Sequence, residues 1–449
     1  MRIDLGSRGI RTALAAALTA VALVVLAACG GSDKSSSSSS GSSSAASTGA
    51  SSEPAVAASK CGAGNGQKAS GTPIKLGAIA TKQPGTDFTD IPNTAKAYFD
   101  CVNDNGGING RPIDYTIETE QTDPGQVASL ARKLVQSEKV LGIVGNTSII
   151  ECAVNHKYYE QKGYFIIGSG IAPECYSTPN SAAVNMGPRY SVDGATQYLI
   201  RQGVKKLVLD QSNVPGTGYN AGGFLLIAKD ANIPTETLKE NVPIQDANSV
   251  ALKEVQAAGN GGGVVLNFTP PEALKILQAA QRLGLQNRVK WACSTPCNTD
   301  FLAQALGPQW DGKLGVNAEL NLTTANGPDS QLYRDVLTKY APKIPLGSFS
   351  QMGFTEARIA TEALLGVKGA YTPESVNAAF KGVKDFKTDI LCKPWYYGSA
   401  PLHIPNNTDR TTTPKGGVMV QKEGCFAISD VDPAIAQVRK IEAGGGNAS

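Results

Sequence analysis

Few side chains in this chain of 449 residues are suited to acid–base or nucleophilic catalysis. His156 and His403 are its two histidines, so any mechanism with a histidine base depends on one of them. Ser169 follows an apolar run in Gly168-Ser169-Gly170, which gives it an exposed position, but the G-x-S-x-G motif of nucleophilic serines does not occur. We therefore predict packing or surface roles for both histidines. Hydrolysis remains the alternative enzymatic function.

Nine cysteines are the second group of reactive side chains. Cys29 lies in the N-terminal apolar region, and the other eight could form four disulfides or bind metal. Cys293 and Cys297 are the one closely spaced pair and have no histidine nearby, so we predict no metal site. Eight cysteines allow 105 connectivities, and we predict that sequential neighbours pair. The predicted disulfides are Cys61–Cys101, Cys152–Cys175, Cys293–Cys297 and Cys392–Cys425.

A glycine-rich segment, Gly216-Thr217-Gly218 with Gly222, partly fits a dinucleotide-binding loop. The spacing to Gly222 is one residue too long, Pro215 precedes the segment, and no matching acidic residue follows. The segment therefore predicts a tight turn beside a ligand cleft, and we expect no cofactor. The formal net charge of +3 is too small for a nucleic-acid-binding protein, so we expect no nucleic-acid partner.

The N-terminal residues have the features of an export signal. Arg2, Arg8 and Arg11 precede an uncharged apolar run, Thr12–Ala28, which is short for a membrane span. The run ends in Leu-Ala-Ala-Cys-Gly, which resembles the lipobox of bacterial lipoproteins. We predict a signal peptide at 1–28, a lipid on Cys29 and a flexible Ser/Gly/Ala-rich tether at 29–71. An uncleaved anchor is the alternative.

Beyond residue 73, short apolar runs alternate with amphipathic stretches. Ile74–Ala80 and Ile113–Glu120, for example, are predicted strands, whereas Gln126–Ser137 is a predicted helix. Strands separated by helices indicate parallel sheets covered on both faces. The mostly helical region after Leu332 needs sheets that formed earlier in the chain. We therefore predict an α/β protein of two lobes, each built from non-contiguous segments.

One motif identifies a family resemblance. Asn103–Ile113 reads N-D-N-G-G-I-N-G-R-P-I and is followed by Thr122-Asp123-Pro124. This pattern resembles the extracellular solute-binding receptors of branched-chain amino-acid importers, the type I periplasmic binding proteins, over about Thr72 to Ile428. The glycines permit a sharp helix-to-strand reversal, and Asp123 and Pro124 suit the start of a helix.

The resemblance implies two lobes, each a mostly parallel sheet with helices on both faces, joined by a multi-strand hinge. The expected segments are 72–190 with 317–394 for the N-terminal lobe, 191–316 with 395–430 for the C-terminal lobe, and a tail at 431–449. Ligand would bind between the lobes, where strands end and helices begin. The implied ligand-binding residues are Gln83, Phe88, Asn146, Thr147, Ser148, Ser169, Gly170, Tyr190, Tyr219, Phe268, Thr269 and Thr295.

The chain departs from the amino-acid receptors at three positions. Ile171 stands where relatives place a hydroxyl for the ligand carboxylate, and Pro215 where they place a tyrosine. Ser294 and Thr295 occupy the segment that would hold an acid for the ammonium group. A buried ammonium without a charge partner is costly, so we predict a small neutral or anionic solute rather than a standard α-amino acid.

The resemblance implies a function in transport. We expect a membrane-anchored, monomeric solute-binding lipoprotein that passes a small polar solute to the permease and ATPase of an ABC importer and is not an enzyme. The alternative, from a different functional class, is a ligand sensor that signals through a partner protein. The fold serves that role equally well.

Overall fold

The structure, a computed structural model, describes residues 60–445. Cys29, the predicted signal peptide and most of the predicted tether lie outside the described residues. Within the described range no helix is both long enough and apolar enough to cross a membrane.

The first lobe contains a six-stranded sheet. Strands β3, β1, β4, β5 and β6 run parallel in that order, and β2 forms a short antiparallel hairpin with β1. The bounds are β1 (Ile74–Gln83), β2 (Thr86–Asp87), β3 (Ile113–Glu120), β4 (Gly142–Asn146), β5 (Ile166–Gly168) and β6 (Ser181–Ala183), with helices α1 (Asp90–Asp104), α2 (Pro124–Arg132), α3 (Glu151–Lys162) and α4 (Glu174–Ser177).

The second lobe contains a seven-stranded sheet in the order β13-β12-β11-β10-β9-β7-β8. Its strands are parallel except for β12 and β13, which pair antiparallel at one edge. The bounds are α5 (Gly187–Arg201), β7 (Leu207–Ser212), α6 (Thr217–Asp230), β8 (Thr235–Glu240), α7 (Ala247–Ala258), β9 (Gly263–Asn267), α8 (Pro270–Arg282), β10 (Lys290–Cys293), α9 (Asp300–Leu306), β11 (Leu314–Asn317), β12 (Thr408–Lys415) and β13 (Val418–Ala427).

Three helices after β11 return to the first lobe, and a fourth ends the described chain. Helices α10 (Pro328–Tyr340), α11 (Ser348–Leu365) and α12 (Pro373–Lys381) bury apolar side chains against the first sheet together with α1. Helix α13 (Pro433–Ala443) buries Ile435 and Val438 beside Cys175. Both sheets are therefore covered by helices on both faces, as predicted, although the predicted tail at 431–449 includes an ordered helix.

The motif that suggested the family has the predicted local structure. After α1, the residues Gly106, Gly107, Asn109 and Gly110 all have positive φ, and the Asn103 side chain makes two hydrogen bonds, of 2.7 and 2.8 Å, to the backbone of Ile113. Asp123 accepts a hydrogen bond of 2.6 Å from the backbone N–H of Gln126, with Pro124 in the first turn of α2. This segment therefore sets the sharp return from α1 into β3 and the start of α2.

The chain passes between the lobes three times. The first crossing precedes Gly187, because α5 packs on the second sheet, and the second follows Asn317. The third boundary, predicted at 394/395, is too early. Trp395 and Tyr397 are buried in the first-lobe core, and the Trp395 indole donates a hydrogen bond of 2.9 Å to the Ala183 carbonyl. The third crossing therefore lies between Tyr397 and Thr408.

The structure contains the four disulfides that sequential pairing predicts: Cys61–Cys101, Cys152–Cys175, Cys293–Cys297 and Cys392–Cys425. Cys61–Cys101 ties the first described residues to α1. Cys152–Cys175 joins the helices α3 and α4. Cys293–Cys297 closes a short loop directly after β10.

Candidate functional site

The carboxyl ends of the parallel strands of both sheets face one another across a cleft. Such ends are where open α/β sheets bind ligands, because the loops that leave them project beyond the sheet. Ser212, Asn267 and Thr295 lie at or just after the ends of β7, β9 and β10, and Thr147 and Ser169 directly follow β4 and β5. All five side chains line one cavity of about 100 Å³, which we call the inner cavity.

Most of the inner cavity wall is apolar. Phe88 and Phe349 meet edge to face with ring centroids 5.6 Å apart, and Met352 lies one turn further along α11 than Phe349. The apolar members of the wall come from both lobes: Phe88, Ile91, Ile149, Ile171, Val214, Phe268, Phe349 and Met352. This composition suits an apolar ligand body held by a few polar contacts.

A larger chamber of about 390 Å³, the outer chamber, lies at the mouth of the cleft. It shares Thr86, Thr269, Pro296 and Phe349 with the inner cavity, so the two spaces adjoin. Its wall is rich in proline and acid: Asp87, Asp90, Pro270, Pro271, Glu272 and Pro345.

Hydrogen bonds join the two lobes across this mouth. Ser348, at the start of α11, makes two of them. Its hydroxyl donates to the Thr295 carbonyl over 2.8 Å, and its backbone N–H donates to the Asn298 carbonyl over 2.9 Å. On the opposite side, the Thr269 hydroxyl donates to the Gly85 carbonyl over 3.2 Å. The structure therefore represents a closed arrangement of the lobes.

The structure brings seven of the twelve predicted ligand-binding residues to this cleft. Phe88, Thr147, Ser169, Phe268, Thr269 and Thr295 line the inner cavity, and Gln83 lines the outer chamber. Asn146, Ser148, Gly170, Tyr190 and Tyr219 are absent from the walls of both spaces.

Three of these five residues serve the first-lobe framework instead. Asn146 accepts a hydrogen bond of 2.7 Å from the Ile79 N–H, within the sheet. Ser148 donates to Glu120 over 2.8 Å and accepts from the Glu151 N–H at the start of α3. The Gly170 N–H donates to the Asn185 side chain over 2.7 Å. Their polar groups are therefore used to shape the loops.

The two tyrosines lie behind the wall. The Tyr190 and Tyr219 hydroxyls are 3.2 Å apart, and the Arg189 guanidinium lies 4.9 Å from the Tyr219 ring centroid. Arg189 also forms a 2.7 Å ion pair with Asp432, which caps α13. The aromatic character of these residues suggested a ligand wall, but it serves the packing between α5, α6 and α13.

The sequence analysis missed two buried carboxyl groups near the cleft. Glu319, in the second crossing, is 1% exposed, lines the inner cavity and accepts a hydrogen bond from the Met186 N–H. Glu356, on α11, accepts a hydrogen bond from the Ser169 hydroxyl. Burial raises the pKa of each carboxyl to about 8, although hydrogen bonding to their neighbours partly opposes the increase. For Glu319 the available signal was an acid in a mostly apolar segment, Gly315–Leu320, whose one other polar side chain is Asn317.

Thr295, a hydrogen-bonding neighbour of Glu319, belongs to a polar network of the second lobe. The Asn317 amide donates to the Thr295 hydroxyl over 2.8 Å, and the Ser191 hydroxyl donates to the same oxygen over 2.9 Å. Ser191 also accepts from the Thr295 N–H over 2.7 Å. These bonds fix Thr295 between Cys293 and Cys297, so the network and the disulfide hold the same loop of the cavity wall.

Neither histidine is placed to activate Ser169. His403 contacts the Ala400 and Ser181 carbonyls, and His156 contacts the Cys152 carbonyl one turn earlier in α3. The Ser169 hydroxyl donates to Glu356. Hydrolysis by a serine nucleophile therefore finds no support in these contacts. Among residues 60–445, no group of three or more His, Cys, Asp or Glu side chains is arranged to hold a metal ion.

Comparison with known proteins identifies the family. A family model described as a periplasmic binding protein matches residues 73–411, and the chain therefore belongs to the periplasmic binding protein family. No match was found among the curated proteins. The predicted resemblance and the predicted two-lobed α/β fold are thus confirmed at the level of the family.

Solved structures share the fold at low sequence identity. A branched-chain amino acid ABC transporter protein from Thermus thermophilus with bound valine has a TM-score of 0.72 at 16% identity, covering 84% of this chain and 100% of its own. A fatty acid ABC transporter substrate-binding protein from Thermomonospora curvata has a TM-score of 0.69 at 18% identity, covering 82% of this chain and 95% of its own. A solute-binding protein from R. palustris in complex with benzoate has a TM-score of 0.65 at 17% identity, covering 80% of this chain and 98% of its own.

Proposed function

We propose that this protein is the extracytoplasmic solute-binding component of an ABC importer. The observation that carries the proposal is the cavity between the carboxyl ends of two sheets, with walls from both lobes and from the second crossing. A solute in this cavity contacts both lobes at once, so it stabilises the closed arrangement relative to an open one.

Closure around a solute requires that the solute bind the closed form more tightly than the open form. Shifting an open-to-closed equilibrium from 1:99 to 99:1 requires a preference of the ligand for the closed form of about 5.5 kcal/mol. Burial of an apolar ligand body against Phe88, Phe268 and Phe349 contributes part of this preference, because one fully buried apolar side-chain equivalent contributes roughly 1.5–3 kcal/mol. Polar contacts of the ligand with both lobes contribute the rest.

The proposed cellular setting follows from the N-terminal sequence. Lipid on Cys29 anchors a monomer to the outer face of the membrane, and residues 30–59 are the Ser/Gly/Ala-dominated part of the predicted tether at 29–71. A chain of this composition and length has a root-mean-square reach of roughly 30 Å. The lobes then stay near the permease and ATPase subunits while they capture solute.

The proposed solute is a small molecule other than a standard α-amino acid. Ile171 lines the cavity where a hydroxyl would bind a ligand carboxylate, and the Cys293–Cys297 loop presents Thr295 rather than an acid. The related structures in complex with valine and benzoate indicate that this fold accommodates ligands of different chemistry.

A thermal-shift screen followed by an uptake assay tests the proposal. We expect a small solute to raise the unfolding temperature, and cells that lack the protein to lose uptake of that labelled solute. Restoring the gene should restore uptake. Normal uptake in the deletion strain, together with loss of a transcriptional or behavioural response to the solute, would instead establish the sensor function.

A further inference from the structure

The inner cavity has one ionisable side chain in its wall. Of the residues that line it, Glu319 alone has an acidic or basic group, and the remaining polar members are hydroxyl and amide side chains. The outer chamber adds Asp87, Asp90 and Glu272 to its wall, with no lysine, arginine or histidine. Two nearby lysines are already paired with these acids, Lys82 with Asp87 and Lys275 with Glu272. A bound carboxylate would therefore meet acids and no free cation in either wall.

The Ser169 hydroxyl, a first-lobe donor in the cavity wall that could replace a cation, is already engaged, because it donates to Glu356. Outside the wall, the Ser148 hydroxyl donates to Glu120 and the Gly170 N–H to Asn185. A ligand carboxylate would have to break such a bond and leave a buried acceptor without its donor, which is unfavourable. The anionic solutes that the sequence analysis allowed are thus disfavoured.

The Glu319 carboxyl is held where it can contact a ligand. It lines the cavity and accepts a hydrogen bond from the Met186 N–H, and the Thr295 hydroxyl is a second hydrogen-bonding neighbour. Two other titratable groups interact electrostatically with Glu319. They are Asp409 on β12 and Tyr176 on α4. Burial raises the pKa of both groups.

From this geometry we propose that the cavity selects an uncharged, largely apolar solute, and that Glu319 is the residue that sets this specificity by donating a hydrogen bond to a ligand acceptor. This inference rests on the proposed solute-binding function and specifies its ligand class. An inner cavity of about 100 Å³ is smaller than the roughly 150 Å³ apolar cavity that accepts benzene, so the buried part of the solute is at most about the size of one ring. Any extension lies in the outer chamber.

Ligand selection by charge is the first test. Thermal shift and calorimetry at pH 7 would compare neutral, anionic, cationic and zwitterionic compounds, including benzamide, benzoate and benzylamine as a series of one shape. We expect a neutral compound to bind, and its carboxylate analogue to bind at least about tenfold more weakly. Equal or tighter binding of a carboxylate, amine or amino acid would overturn the inference while solute binding stands. No binding in any class would contradict the proposed function itself.

The pH profile of Glu319→Gln is the second test. The amide keeps the shape, the acceptor for Met186 and a donor for the ligand. For the wild type, affinity for the neutral ligand should fall by about tenfold between pH 7 and pH 9, because the carboxyl loses its proton there. The variant should bind at pH 7 and show no such decline, whereas Glu160→Gln, an exposed position on α3, should follow the wild type. A decline in Glu319→Gln equal to that of the wild type would overturn the role of Glu319. So would lost binding at pH 7 in a folded variant.

Discussion

Buried carboxyl groups are the main feature of the molecule at the residue scale. Glu151, Glu319 and Glu356 are almost fully buried. Each accepts a hydrogen bond from an uncharged donor: Glu151 from the Asn155 amide, Glu319 from the Met186 N–H, and Glu356 from the Ser169 hydroxyl. Burial raises the pKa of Glu151 to about 7 and of the other two to about 8. Burial therefore favours the neutral form of these side chains relative to an exposed glutamate.

The first prediction concerns stability and pH. Between the ordinary glutamate pKa of 4.5 and the raised values near 8, the folded protein binds more protons than the unfolded chain. The contribution of these groups to the free energy of unfolding should then fall as pH rises through this window. In thermal melts from pH 5 to 8, Glu356→Gln should reduce the decline relative to wild type. An unchanged decline would contradict the assignment.

The second prediction concerns the aromatic wall. Phe88 is half-buried, packs against Phe349 and follows the β1–β2 hairpin rather than a core strand. Phe88→Ala should lower ligand affinity by about tenfold, because it removes apolar contact from the ligand, and should change the unfolding temperature little. Leu225→Ala, at an exposed position on α6, is the control and should leave affinity unchanged. Wild-type affinity in Phe88→Ala would place the ligand elsewhere.

At the scale of elements, the loop after β10 combines three constraints. The disulfide Cys293–Cys297 spans it, Thr295 is fixed by Ser191 and Asn317, and its carbonyl accepts the cross-lobe bond from Ser348. The loop thus belongs both to the cavity wall and to the contact between lobes. A rigid loop at this place reduces the entropy lost when the lobes close.

The third prediction compares two disulfides. Replacing Cys293 and Cys297 by serine should weaken ligand binding by several-fold, because the loop must then be ordered on closure. Replacing Cys61 and Cys101, far from the cavity wall, should lower stability by about 4 kcal/mol in the chain-entropy description and leave affinity unchanged. Calorimetry and denaturant unfolding measure the two effects. The reverse pattern would contradict the role given to the β10 loop.

The elements that the sequence predicts well are those with a strong local pattern. The Asn103–Ile113 turn and the Asp123 cap depend on nearby residues alone, and both are present. Strand β8, Thr235–Glu240, was not predicted, because it is a charged edge strand with one buried side chain. The positions of Glu319 and Tyr190 depend on how distant segments pack. The sequence therefore predicts the two-lobed fold and several of the cleft loops, but not which side chains face the cavity.

The whole molecule is proposed to work as two lobes joined to the membrane by a flexible, lipid-anchored tether. The described residues supply the lobes and three crossings, and the N-terminal sequence supplies the predicted lipid and tether. The proposed tether would limit how far the lobes diffuse from the membrane without fixing their orientation. Capture and delivery of solute would then depend on lobe motion and on local concentration near the importer.

The fourth prediction tests the anchor. Cys29→Ala removes the proposed lipid attachment site and should release the protein from membranes or block its maturation. Ser32→Ala, three residues later, is the matched control and should remain with the membrane. Fractionation and mass spectrometry of the N-terminus measure the outcome. Retention of a cleaved Cys29→Ala product in the membrane fraction would argue against lipidation.

Small-angle X-ray scattering with and without saturating ligand tests the central claim most directly. The closed structure has cross-lobe bonds from Ser348 and Thr269, and a ligand in the inner cavity should favour it over an open form. We predict that ligand decreases the radius of gyration and that the scattering curve then matches the closed structure. An unchanged curve for the ligand-saturated protein, with the free protein already matching the closed structure, would contradict capture by lobe closure.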